Sequence, residues 1–223
     1  SGGAAGQTYR LVDSGTSGNH NNVLELQNAA NDFQGTLELW RGSIGITSDG
    51  ALGNPDNDII HYSETLGGAL RFDADNIILG TGRNIDMPGG ANARPINTQA
   101  FNATIQGNIT GTGILVKQGT GKLVLTGTNS ATSATAIAAG TLQVDGAFNP
   151  STATVTVDAG ATISGIGAVN RPITVTGSIA PGASVGTITT GAVTLNGTYA
   201  CEVNGATSDV IAATDLTLGA ASA

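Results

Sequence analysis

The residues best equipped for chemistry in this chain are a serine framed by glycines, two distant histidines, one cysteine and a few paired carboxylates. Gly182-Ala-Ser184-Val-Gly186 satisfies the G-x-S-x-G pattern of an activated nucleophile. Such a serine needs a strand-turn-helix setting and, later in the chain, a histidine to take its proton. His20 and His61 both precede it and no helical periodicity follows, so Ser184 reads as a corner residue. Gly119-Thr-Gly-Lys122 has the end of a phosphate-binding loop. Val116 stands where the opening glycine belongs, however, and Leu123 where the metal-binding hydroxyl belongs.

Paired carboxylates are the machinery of glycoside cleavage, and the two densest groups are Asn54-Pro-Asp56-Asn-Asp58 and Asp73-Ala-Asp75. The first is made of turn formers and reads as a solvated turn. The second shares a face if its segment is a strand, with Arg71 as its one nearby cation. His20 and His61 lack zinc-ligand spacing and each reads as a loop residue. Cys201 alone makes neither an internal disulfide nor a thiolate cluster. Tyr9, Trp40, Tyr62, Phe72 and Tyr199 could stack on sugars, but isolated aromatics at strand positions more often pack a core or a corner. Threonines at 154 and 156, 174 and 176, and 187 and 189 are expected to project outward in rows, a surface suited to glycans or ice. The expectation is therefore no catalytic, cofactor or metal site, no enzyme, and a binding site whose residues are unknown.

Composition explains why so little chemistry is present. The chain has 34 glycines, 4% aromatic and 11% charged residues, against about 25% charged in an average globular protein. With 39% hydrophobic residues it has a core to bury, which argues against disorder. No run approaches the roughly 18 apolar residues of a spanning helix, so membrane insertion by this segment is not expected. The net charge of −8 and eight scattered Lys and Arg exclude a phosphate-binding stripe, and with it nucleic acid. Ser1 to Gln7 shows neither a positive start nor an apolar run, so export is not read from a leader.

Strand signals recur throughout. Leu123-Val-Leu125, Leu142-Gln-Val144, Val155-Thr-Val157, Ile173-Thr-Val175 and Val193-Thr-Leu195 each place two aliphatics on one side of an intervening residue. Leu123 to Leu142 is 19 residues, Val155 to Ile173 is 18 and Ile173 to Val193 is 20, a period near twenty that predicts solenoid coils. The shorter step from Leu142 to Val155, 13 residues, puts those two on different sides of the coil. A gapless match of Asn31–Ile46 with Asn129–Val144 aligns Gly42 with Gly140 and Ile44 and Ile46 with Leu142 and Val144. Asp-Gly and Asn-Gly turns are too few to connect an antiparallel sandwich.

The run Gly111-Thr-Gly-Ile-Leu-Val-Lys117-Gln-Gly-Thr-Gly-Lys-Leu-Val-Leu125-Thr-Gly-Thr-Asn129, continuing to Gly140-Thr-Leu-Gln-Val144, resembles the autotransporter-associated β-strand repeat. The copy departs from the family at Ser130 to Ser133, where an aromatic and a glycine are usual; Phe33 and Gly35 keep both upstream. Ala180-Pro-Gly-Ala-Ser-Val-Gly-Thr187 is similar to the stretch that follows such repeats in passenger domains. The resemblance runs from about Asn28 to the end, leaving out Ser14 to Asn22. It implies an all-β, single-stranded right-handed parallel β-helix over 1–223, with repeat-like units near 31–46 and 111–144 and a passenger-like tail over 150–223. It further implies a secreted or cell-surface structural and adhesive module, exported across a Gram-negative-type outer membrane. Its expected partners are a surface glycan or host receptor, or further copies stacked end to end as a fibre. The alternatives are a β-helix carbohydrate-active enzyme and a glycan- or ice-binding module.

Overall fold

In the computed structural model the described residues are 7–11, 22–62, 68–90, 92–182 and 184–219, so Ser14 to Asn21, His20 and the two chain ends lie outside them. Short aliphatic pairs form strands of mostly two to five residues, many of them with a buried, part-buried, buried rhythm. Successive strands cannot pair with each other, because a glycine or Asx corner turns the chain between them. Each pairs instead with the equivalent strand one coil away, in parallel. The result is a β-solenoid with three faces: an 18-stranded parallel sheet makes the first two and a seven-stranded parallel sheet the third. Among the described residues antiparallel pairing is confined to the hairpin Val203–Asn204 with Thr207–Ser208 and one bridge between Gly165 and Gly182. No α-helix is present there; a single 3-10 turn, Asp49–Leu52, stands where an early coil lacks its third-face strand.

Strict register turns the interior into columns. The first face stacks Tyr9, Leu37, Ile59, Ile85, Ile109, Asn129, Phe148, Val169, Thr190 and Ala213. The second stacks Ile44, Leu70, Ile96, Lys117, Ile137, Val157, Val175, Leu195 and Leu218. The third stacks Ile77, Ala103, Leu123, Leu142, Ile163, Ile179 and Tyr199. The pairs from which the period was read are thus true rung neighbours, and Leu142 and Val155 do lie on different faces. The match of 31–46 with 129–144, by contrast, is not a coil register. Ile44 stacks on Leu70 in the second face, whereas Leu142 stacks on Leu123 in the third. Both stretches follow the same glycine-then-alternation grammar, which any face can satisfy.

Coils this close leave no room at some corners: a Cβ on Gly121 would lie 1.8 Å from the Phe101 carbonyl oxygen. The corners also differ in length. From third face to first, Leu79 to Ile85 is six residues, Ile105 to Ile109, Leu125 to Asn129, Val144 to Phe148 and Gly165 to Val169 are four each, and Pro181 to Thr190 is nine. From first to second, Ile85 to Arg94 is nine, Ile109 to Leu115 six, Phe148 to Val155 seven, Val169 to Ile173 four and Thr190 to Val193 three. In the last two rungs the corner disappears, and Thr187–Leu195 and Val210–Leu218 run as nine-residue strands across both faces.

Four of the eight cations point inward. Arg83, Arg94, Lys117 and Arg171 are fully or almost fully buried, and they donate mainly to corner carbonyls. Arg83 donates to the carbonyls of Asn57, Asn54 and Gly53 and to Asp49 Oδ1 at 2.7 Å. Arg94 donates to Pro88 and Gly89. Lys117 Nζ donates to Gln118, Gly119 and, one coil on, Ala139. Arg171 reaches Asn149, Ser133 and Ala131. Burial lowers the Lys117 pKa to about 8, so it is still charged at neutral pH where the three carbonyls receive it. A corner carbonyl that no next-rung N–H reaches would otherwise be buried without a partner. Replacing Arg83 with Met strands the Asp49 carboxylate and several carbonyls together. The expected loss is about 3–5 kcal/mol of unfolding free energy, read by urea titration.

His61 is not a loop residue: it ends the strand Ile59–His61, is fully buried and sits beside Leu39 in the core. Its Nε2 lies 3.1 Å from the Pro95 carbonyl while Nδ1 has no partner. Desolvation holds the imidazole neutral and lowers its pKa to about 4, with the nearby Arg94 charge adding to the effect and the Pro95 bond opposing it. Between pH 6.5 and 4 the unfolded chain binds a proton that the folded one refuses. Stability is thus expected to be fully present above pH 6.5 and to fall towards pH 4, by on the order of 2–3 kcal/mol. In His61→Leu, denaturant midpoints measured across that window should lose most of the slope.

Candidate binding surface

Outward positions alternate with the core columns. On the first face, one outward column runs Thr36, Asp58, Asn84 and Asn108, and the next runs Glu38, Ile60, Asp86 and Thr110. Between them lies a groove of about 460 Å³ lined by Thr36, Asp58, Ile60, Asn84, Asp86, Asn108 and Thr110. It shares Thr36 and Asp58 with a second hollow of about 320 Å³ that also takes in Gln34, Asn54, Asp56 and Asn57. The walls are built by an axial ladder. Asp58 Oδ1 accepts the Asn84 N–H, Asn84 Oδ1 accepts the Asn108 N–H, and Asn108 Oδ1 accepts the Thr128 N–H. Each side chain thus caps the corner of the next coil, which fixes the polar groups at rung spacing, about 4.8 Å. Asp75 and Asn102 repeat the device beside the third face, towards the N–H groups of Asn102 and Lys122.

An aromatic stack stands at the N-terminal end of this face. Trp40 and Tyr62, one coil apart, have ring centroids 4.1 Å apart and planes inclined by 27°. Arg10 lies over the Trp40 ring at 4.6 Å. Glu38 accepts from Trp40 Nε1 at 2.9 Å and from Arg10 Nε at 2.7 Å. The group crosses three successive rungs, each flat side chain resting on the next.

The sequence-derived candidates divide as follows. Ser184 is exposed at a corner beside Gly182, which has φ 80°; Ala183 lies outside the described residues. Asp73 and Asp75 do not form a pair. Asp73 follows the strand Leu70–Phe72 and is held by Arg71 at 2.6 Å, while Asp75 caps the next coil. Phe72 is core, Tyr9 packs on Phe33, and the Tyr199 hydroxyl donates to the Asp209 carbonyl. The threonine rows separate too. Thr156 and Thr174 share a second-face column, continued by Thr194 and Thr217, but Thr187 and Thr189 lie on the first face beside Val210 and Ala212. Of these threonines only one unbroken column results, so among the described residues they do not form a two-row hydroxyl grid. Sequence reasoning missed the groove. The hint available was Asx recurring about one coil apart, at Asp58, Asn84 and Asn108.

Fold and register together define a repeat-built parallel β-solenoid whose coil length is set by about twenty residues. Residues 115–144 match the passenger-associated-transport-repeat family, and these residues form the coils in which Lys117 and the Asn129 corner lie. Over 180 residues, 73% of this chain, the sequence is 32% identical to the adhesin BmaC autotransporter of Brucella suis biovar 1 (strain 1330). The chain spans 5% of that relative's length. No solved structure matches it significantly. In its repeat and in its similarity to that relative, the chain resembles the repeat-bearing passenger segments of autotransporters.

Trp40 is the one tryptophan in the sequence, so its emission reports this stack alone. Tyr62→Ala is expected to shift that emission to the red in native buffer by admitting water to the ring. Tyr199→Phe, at the far end of the rod, should leave the spectrum unchanged.

Proposed function

We propose that this segment is a non-catalytic, surface-displayed adhesive section of an exported passenger, a stiff rod whose outer walls meet a surface glycan or host receptor. The observation that carries the reading is the passenger repeat itself, expressed as coils whose ionisable groups serve structure. Asp58, Asp75 and Asp209 cap backbone N–H groups, Asp49 and Asp73 hold arginines, and four cations satisfy carbonyls. Few groups remain that combine a perturbed proton affinity with an open cleft, the usual mark of acid-base catalysis. The adhesin name of the relative supports adhesion, and the passenger repeat supports export to the cell surface.

In cells producing the whole protein, protease added outside should release peptides of this segment, and deleting it should lower attachment to host-cell or matrix surfaces several-fold. Retained attachment, or turnover of any polysaccharide by the purified rod, would overturn the reading.

A further inference from the structure

We infer that the axial groove of the first face is a carbohydrate-binding site for an uncharged glycan chain laid along the rod, an assignment that rests on the adhesive reading above and narrows its ligand.

Three features of the groove point to sugar hydroxyls. The first is its mixture of groups. Carboxylates at Asp58 and Asp86 accept only, the Asn84 and Asn108 amides donate and accept, and Thr36 and Thr110 do both. Neighbouring sugar hydroxyls, each at once donor and acceptor, match such a set. A lipid tail or an apolar helix would leave these groups desolvated without partners. The second is rigidity. The Oδ1 atoms of Asp58, Asn84 and Asn108 are each bound to a backbone N–H of the next coil, and Asp86 Oδ1 takes the Thr110 hydroxyl at 2.9 Å. One oxygen of each carboxylate and the Asn108 amide nitrogen are left directed to solvent from fixed positions, so little ordering entropy is lost on binding. The third is the floor and its end. Ile60 supplies an apolar patch within the polar walls, and its column continues through Glu38 to the Trp40 and Tyr62 stack.

Charge sets the class. Asp56, Asp58 and Asp86 line the groove and its neighbouring hollow, and no lysine or arginine does. Sialylated and sulfated chains would meet like charge there. An uncharged chain meets none, and the repetition of the walls from coil to coil suits a polymer rather than a single sugar.

The test is a glycan microarray probed with the purified rod, carrying neutral, sialylated, sulfated and amino-sugar oligosaccharides. Three variants accompany it: Asp86→Lys, Thr110→Lys and, on the second face, Thr174→Lys. Both groove positions face outward on short strands, so each variant should fold. Circular dichroism and the urea midpoint check this, and Ile60→Thr provides a milder substitution should either lysine disturb the coils. The expected result is retention on neutral glycans, at least tenfold weaker in the two groove variants and unchanged in Thr174→Lys. Equal loss in all three, no loss in the groove variants, or a preference for anionic glycans overturns the assignment. If the rod attaches to host or matrix protein coats but to no glycan, the groove assignment falls and the adhesive reading stands. If it attaches to neither, both fall.

Discussion

Parallel pairing between coils at a fixed rung spacing is the constraint from which the rest of the molecule follows. Each strand must present its N–H and C=O groups to the coil above and the coil below, so a residue's place in the rung decides what it touches. Aliphatics stack on aliphatics because register leaves them no other neighbour. Corners are where the pairing lapses. The unpaired carbonyls there are met by buried Arg83, Arg94, Lys117 and Arg171, and unpaired N–H groups by the Asp58, Asn84 and Asn108 ladder. Polar side chains thus finish what the sheets leave undone.

This division of labour explains which features could be read from sequence. The period near twenty and the alternation at Leu123, Leu142, Val155, Ile173 and Val193 expose the coil directly, because inward aliphatics are selected by column and spaced by coil length. Which face a segment occupies is another matter. Ile44 and Leu142 obey the same local grammar on different faces, since all faces demand alternation after a glycine and differ only in what came before. The inward cations were illegible for a similar reason. Lys117 at a strand position reads as solvent-facing, yet it interrupts the column between Ile96 and Ile137, and only the path of the corner beyond it shows which carbonyls it reaches. His61 was misread as a loop residue because an imidazole held neutral by burial carries no sequence mark.

The candidate surface was half legible. Trp40 and Tyr62 were singled out by residue type, but their stacking depends on a coil of 22 residues bringing 40 over 62. The threonine rows illustrate the converse. Thr187 and Thr189 alternate as well as Thr174 and Thr176 do, but the corner between first and second faces had vanished by then, so their strand continues a different wall. Near the C-terminal end, Asp209 performs the closing task. Its carboxylate accepts from Gly186 and Glu202, tying the hairpin to the last coils, while the tyrosine below it, Tyr199, ends the third-face column.

The unequal corners have an evolutionary consequence. The passage from third face to first is four residues in four successive coils but six from Leu79 to Ile85 and nine from Pro181 to Thr190, and the passage from first to second ranges from nine down to three, so corner length varies while the columns hold. Insertions arising at such corners lengthen a loop without shifting any column. A lineage could therefore remodel the outline it shows there, coil by coil, while inheriting its interior unchanged.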